Sequence, residues 1–302
     1  MDKDSIYAIR YWPVWILAGI MRLLIQLPYR FQLKIGKYMG LLAMRFAARE
    51  RKITEINLSR CFPEMTESER QNLCRESFIA MGIGSIETTF GWWGSEKRLK
   101  KLVHIEGLEH VKHILKNNQS VLIFTPHFSS LHIVGRLITL HHPFSVMYFP
   151  PKNPIFREIS RRSMNRLYQQ AIPRDDARSL IKALKKNSAV LYTPDTDAGL
   201  KNSIFAPFFN ISTASVTATS RFAKISQCAV MPATYYRRND NKGYNVKFYP
   251  PLKNYPSDDL YKDAALINHW VEKFVREHPE QYLWQYKRFK TRPPGEEKFY
   301  EK

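Results

Sequence analysis

Apolar side chains recur at helical spacing through the first hundred residues, after which short β-branched or aromatic runs alternate with helical stretches. Near the start, residues 12–27 (WPVWILAGIMRLLIQL) are apolar except for Arg22 and Gln26. In MTESERQNL, Thr66 precedes Glu69 at the capping-box spacing, so a helix is expected to begin there and run through an apolar-periodic stretch toward Phe90. From Asn118 onward SVLIFT, FSVMYF, SAVLYT, CAVMPATYY and YNVKFY read as strands. Between them, 127–140, 154–170, 177–186 and 213–225 have helical period and the length of crossover connections. The fold class expected is α/β: a mixed, largely parallel sheet flanked by helices, with an N-terminal helical membrane-anchoring extension. The division along the chain is an anchor over 1–30, a helical region over 31–100 and an α/β domain over 101–302.

Charge adds a statement about partners. The chain has 302 residues and a net charge of +20, and a surplus of that size attracts polyanions without specifying a fold. Nucleic acid, anionic lipid and acidic carrier proteins all qualify. Arg30, Lys34, Lys37, Arg45, Arg49, Arg51 and Lys52 follow the apolar segment, the pattern of a positive-inside flank or an interfacial helix. The apolar run falls short of the roughly 20 residues that span a bilayer, and no A-x-A-like site follows it, so it reads as a retained membrane anchor and not a signal peptide. A buried amphipathic helix of the core is the alternative. Cys61, Cys74 and Cys228 are odd in number, widely spaced and without a C-x-x-C, which gives neither a disulfide framework nor a zinc knuckle and points to a reducing cytoplasmic compartment.

Two strand ends run directly into polar turns. One is Thr125-Pro126-His127, followed by Phe128-Ser129-Ser130-Leu131-His132; the other is Tyr192-Thr193-Pro194-Asp195-Thr196-Asp197-Ala198-Gly199. In an open sheet such junctions converge on one edge, and a histidine fixed there by backbone on both sides is well placed to act as a base. A core histidine bonded to a carbonyl is the commoner fate of a lone His, and P-D-x-D taken alone is only good turn chemistry. A zinc site built from His127, His132 and Asp195 is disfavoured by spacing, because five residues along a regular helix rotate by about 140°.

With these residues stand RYWPVWILAGIMRLLIQLPYR, NLSRCFPEMTESER, NPIFREISRRSMNR, LIKALKKNSAVLYTPDTD, SIFAPFF and PEQYLWQYKRFKTRP. In their order and spacing they make the chain resemble the lysophospholipid acyltransferase superfamily, specifically the late acyltransferases of lipid A biosynthesis, of lauroyl and myristoyl transferase type. The resemblance covers nearly the full length. It implies transfer of a fatty acyl group from acyl carrier protein to a hydroxyl of a lipid A precursor, with no cofactor and no metal, at the cytoplasmic face of a Gram-negative inner membrane. The family motif is H-x-x-x-x-(D/E), a histidine base and an acid that orients it. His127 matches the histidine, whereas the acid position is occupied by His132. The resemblance also places a required arginine at Arg166 and an acidic residue at Asp195, and Phe149 stands where relatives commonly carry arginine.

On this reading the catalytic set is His127, His132, Arg166 and Asp195. Arg161, Arg162, Asp197, Lys287 and Arg288 are candidates for holding the anionic substrate, the last two in a basic tail interleaved with Tyr286 and Phe289. Ser129 and Ser130 read as helix N-terminal residues, since direct attack by the acceptor hydroxyl needs no acyl-enzyme. A histidine at 132 holds a tautomer but supplies no negative charge, and its proximity disfavours protonation of His127. Three arrangements stay open: Asp195 or Asp197 supplies the orienting acid, the enzyme runs slowly, or the donor differs, an aminoacyl (glycyl-type) donor included. The expected partners are acyl carrier protein, a lipid A precursor and the anionic membrane surface, not nucleic acid, for which no recognition motif is present. The rival from another class is a non-catalytic lipid-binding paralogue.

Overall fold

A computed structural model describes residues 6–300. The first five residues of the expected anchor and the last two of the α/β domain lie outside the described residues. The N-terminal hundred residues are helical: α1 (Trp12–Leu24), α2 (Tyr29–Phe46), α3 (Ala48–Cys61), α4 (Glu67–Trp93) and the short α5 (Glu96–Leu99). The cap of α4 is the box expected from sequence, with the Thr66 hydroxyl accepting from Glu69 N–H and the Glu69 carboxylate accepting from Thr66 N–H at 2.7 Å. Glycines let α2 cross α4 at backbone contact: a Cβ on Gly40 would lie 2.2 Å from the Phe78 carbonyl oxygen, and one on Gly82 2.3 Å from that of Gly36. Among the described residues no helix is long and apolar enough to cross a membrane.

The α/β part runs β1 (Val103–Glu106), α6 (Leu108–Lys116), β2 (Val121–Phe124), α7 (Leu131–Thr139), β3 (Ser145–Tyr148), α8 (Pro154–Leu167), β4 (Ala171–Pro173), α9 (Ala177–Leu184) and β5 (Ala189–Tyr192). It continues through β6 (Ser203–Phe208), β7 (Ile211–Val216), α10 (Ala218–Ser226), β8 (Ala229–Arg237), β9 (Tyr244–Phe248) and α11 (Leu260–Glu277). Seven strands form one sheet in the order β1-β9-β8-β2-β5-β3-β4, parallel throughout except where β8 meets β9. The largely parallel α/β sheet read from the sequence is therefore the fold. One connector differs: residues 213–216, expected to be helical, belong to β7, which pairs with β6 as a separate antiparallel hairpin. Ile211, Thr213 and Val216 are β-formers, and the helical period begins only after them, at Ala218. β1 and β4, only 4 and 3 residues long, lie at the two sheet edges and carry too little pattern to be read.

Right-handed crossovers place the helices. The steps β2 to β3 and β3 to β4 put α7 and α8 on one face, where both meet α4; the return steps β4 to β5 and β5 to β8 put α9 and α10 on the other, where they meet each other and α10 meets α11. Strands β2 and β5 are buried at every residue, as sandwiching between two helical layers requires. One hydrophobic core extends from Ile25 of the helical region through the sheet to Tyr300. Cys61, Cys74 and Cys228 are buried free thiols within it.

Candidate active site

β2 and β5 are parallel neighbours with Phe124 opposite Tyr192, so the turns that follow them emerge side by side. The His127 loop is held from several directions. Tyr235 on β8 donates to Pro126 O at 2.9 Å and accepts from Phe128 N–H, while Ser129 N–H donates to Gln281 O at 2.8 Å. Gln281 in turn bonds both backbone groups of Arg237, and Arg237 forms a buried bidentate pair with Glu87 of α4 at 2.6 and 2.8 Å. Tyr244 donates to the same Glu87 carboxylate at 2.6 Å. A Cβ on Gly84 of α4 would stand 2.4 Å from Ser129 O, so the loop also rests directly on that helix.

Asp195 reaches His127 twice. One carboxylate oxygen lies 2.5 Å from Nδ1 and the other accepts from the His127 backbone N–H at 2.9 Å. A carboxylate only accepts, so the ring proton is on Nδ1 and Nε2 carries the lone pair. Nε2 faces the Thr193 hydroxyl at 3.0 Å, and with that tautomer the hydroxyl is the donor. Asp195 is 4% exposed. Burial works to raise the pKa of its carboxyl, but the charge and hydrogen bonds of His127, helped by buried Arg288, outweigh this and hold it below the ordinary range.

His132 lies on the first turn of α7 with its ring 6.2 Å from that of Trp92, and makes no hydrogen bond to His127 among those of the described residues. Desolvation, and secondarily the neighbouring His127, push it down to about 4, so it is neutral at physiological pH. Of the three arrangements left open by the sequence, the geometry corresponds to an orienting acid supplied by Asp195.

The other sequence candidates are dispersed. Arg166 caps the carbonyl of Trp92, joining α8 to α4, and does not line the cavity beside His127. Arg161 and Arg162 both close on Glu158 at 2.8 and 2.7 Å along the exposed face of α8, holding its carboxyl down to about 2. The Asp197 carboxylate accepts from Thr291 N–H at 2.7 Å, from the Thr291 hydroxyl and from Gly199 N–H, which ties the loop after β5 to the C-terminal segment. The C-terminal segment is not the solvated basic tail that its composition suggests. Arg288 is 3% exposed, donates to Ala214 O and sits over the Phe208 ring, out of reach of an external phosphate. Lys287 lies 5.3 Å from the Tyr300 ring.

His127 opens onto a cavity of about 980 Å³ at the carboxyl edge of the sheet. Its walls are mainly apolar, and His132, Thr193, Arg174 and Arg221 line it. Sequence reasoning did not single out the last three. Thr193 lay inside the quoted P-D-x-D segment, and Arg174 follows a third strand end, IPRDD after β4, which the same sheet-edge argument covers once that short strand is known.

Comparison with known proteins follows the same lines. The family model for bacterial lipid A biosynthesis acyltransferases matches residues 2–291. The chain belongs to that family. The Escherichia coli (strain K12) lipid A biosynthesis lauroyltransferase is 36% identical over 287 residues, covering 95% of this chain and 94% of the relative. The palmitoleoyltransferase of the same organism is 35% identical, covering 96% and 95% of the two chains. Its myristoyltransferase is 29% identical, covering 95% and 90%. This acyltransferase thus has full-length relatives whose names differ chiefly in the acyl group.

Proposed function

We propose that this acyltransferase moves a fatty acyl group from the thioester of acyl carrier protein to a hydroxyl of a lipid A precursor, with His127 as general base. The observation that carries the reading is the Asp195–His127 pair, which leaves Nε2 as the basic nitrogen, hydrogen-bonded to the Thr193 hydroxyl, on a histidine that lines a cavity with apolar walls. His127 Nε2 takes the proton of the acceptor hydroxyl as that oxygen attacks the thioester carbonyl. The tetrahedral intermediate collapses with cleavage of the C–S bond, and the leaving thiolate recovers the proton from His127. Asp195 stabilises the imidazolium between the two transfers. The N-terminal end of α7, which begins at Leu131, presents its positive dipole end beside the reacting carbonyl. Apolar walls favour a fatty acyl over an aminoacyl donor.

The helical region supplies a route to the lipid. Trp12, Ile16 and Leu23 of α1 and Phe31, Tyr38, Leu42 and Phe46 of α2 are exposed, among the exposed cations Arg30, Lys34, Lys37 and Arg45. Exposed apolar surface mixed with cations is the composition that binds an anionic bilayer in its plane, and it supports placement at a membrane surface.

The test is transfer from acyl–acyl carrier protein to a purified lipid A precursor, followed by mass spectrometry of the lipid, for the wild type and His127→Ala. Mass gain with the wild type and none with the variant is the expected result. An active His127→Ala enzyme would remove the assignment of the base, and an inactive wild type that still binds the lipid would make the chain a non-catalytic lipid-binding protein.

A further inference from the structure

The loop after β5 brings two side chains to His127. Asp195 holds Nδ1 at 2.5 Å, and the Thr193 hydroxyl stands 3.0 Å from Nε2. Pro194 between them restricts Thr193 to extended conformations, and side chains two apart along an extended chain fall on the same side, so both address one ring. The two loops are pinned to each other: Thr125 N–H donates to Tyr192 O at 3.1 Å, one step beyond the β2–β5 ladder, and His127 N–H donates to the second Asp195 oxygen at 2.9 Å. Thr193 is half-buried and lines the cavity. No other hydroxyl among the described residues is hydrogen-bonded to the ring. The Ser129 hydroxyl lies 3.4 Å from the Arg237 guanidinium, and that of Ser130 is buried without a partner.

Hydroxyl, imidazole and buried carboxylate thus stand in line, with the hydroxyl within hydrogen-bond reach of the base and the base oriented from its far side. That is the arrangement that activates a hydroxyl for attack on an acyl group. Building on the acyl-transfer reading, we propose that Thr193 is itself an acyl acceptor: when no lipid occupies the site, the enzyme takes the acyl group of its thioester donor onto the Thr193 hydroxyl as an oxygen ester. Thr193 Oγ1 attacks the thioester carbonyl carbon while His127 Nε2 takes the hydroxyl proton. The tetrahedral intermediate collapses with cleavage of the C–S bond, and the leaving thiolate recovers that proton from His127. Water deprotonated by the same Nε2 then attacks the ester, the bond to Thr193 Oγ1 breaks, the fatty acid leaves, and Oγ1 takes the proton back.

Thr193 and the lipid hydroxyl compete for one nitrogen. With Nδ1 protonated, the ring has a single lone pair, so an acceptor hydroxyl reaches Nε2 only when Thr193 turns away. Until then the only hydroxyl at the base belongs to the protein, and a nucleophile held there by the fold needs no encounter step. The β-branch of threonine crowds its oxygen and stiffens χ1, so a serine at 193 would be the less hindered nucleophile.

The experiment incubates the full-length enzyme with acyl–acyl carrier protein, with and without the lipid A precursor. It follows the mass of the intact enzyme, the site of any adduct by tandem mass spectrometry, and the release of free fatty acid. Without precursor the wild type should gain one acyl group on Thr193 or, where water removes it as fast as it forms, release fatty acid by a route that Thr193→Val abolishes. The adduct should resist neutral hydroxylamine, which strips thioesters from cysteine, and yield to mild alkali. His127→Ala should slow its formation by at least about a hundredfold, the share a positioned base supplies. Thr193→Ser should form it at least as fast as the wild type, and excess precursor should suppress it. The proposal falls if the adduct sits on another residue, if Thr193→Val forms adduct or releases fatty acid at the wild-type rate, or if the wild type shows neither adduct nor hydrolysis. Transfer to the precursor in the same samples keeps the two readings apart: a wild type that acylates the lipid without using Thr193 leaves the acyl-transfer reading intact, whereas self-acylation with no transfer to the lipid overturns that reading and leaves Thr193 as the acceptor.

Discussion

At the residue scale, His127 owes its tautomer to Asp195, 68 positions away. Asp195→Asn keeps the shape but gives Nδ1 a neutral partner that can donate, which favours the wrong tautomer. By analogy with the loss of carboxylate charge in a serine-protease triad, kcat should fall by up to about 10⁴ with far less effect on KM. Single-turnover kinetics at saturating donor check it. His132 tests the departure from the family motif. With Asp195 already on Nδ1, His132→Glu introduces a second carboxylate in a partly desolvated place, so activity should fall rather than rise. Equal or higher kcat in His132→Glu would mean that position 132 still orients the base.

His132 also predicts a pH dependence of stability. Its folded-state pKa is pushed from 6.5 down to about 4, so between those values the unfolded chain binds the proton more readily than the folded one. Stability therefore rises with pH across that window and declines as pH falls from 6.5 toward 4. His132→Gln should flatten this part of the profile in urea titrations at pH 7 and pH 5. An unchanged slope would show that the ring is freely protonated in the folded protein.

At the scale of elements, the His127 loop stands on α4 and β8, joined by the Glu87–Arg237 pair. Both side chains are almost fully buried, so removing one partner strands a charge. Glu87→Ala should cost roughly 3–5 kcal/mol by denaturant unfolding, while a double replacement by well-packed apolar residues should recover most of the loss. Arg237 also approaches the Ser129 hydroxyl at 3.4 Å, which links this pair to the loop that carries His127. Helix boundaries here were readable where a cap announced them, as at Thr66. Strands β1 and β4 were unreadable, because 3 or 4 residues at a sheet edge give no period to count.

At the scale of the whole molecule, an N-terminal helical unit displays apolar side chains that the core leaves uncovered. The protein should sediment with anionic vesicles and resist release by high salt while yielding to detergent, because apolar burial is insensitive to screening. Deleting residues 1–30 should weaken binding without abolishing it, since Phe31, Tyr38, Leu42 and Phe46 on α2 remain. Complete release by salt alone would make the attachment purely electrostatic.

The sequence by itself determined the α/β plan, the capped α4, the family and the position of His127. Each of these is written in local spacing: a period, a capping box, a strand end that turns at Pro126. What only the tertiary structure decided is which carboxylate serves that histidine, since Asp195 is remote in sequence and adjacent only because β2 and β5 are parallel neighbours. It also decided that Arg288 is buried and Arg174 is available. A cation reads the same in sequence whether it faces a lipid phosphate or packs over Phe208, because burial is a property of the chain's return path and not of its composition.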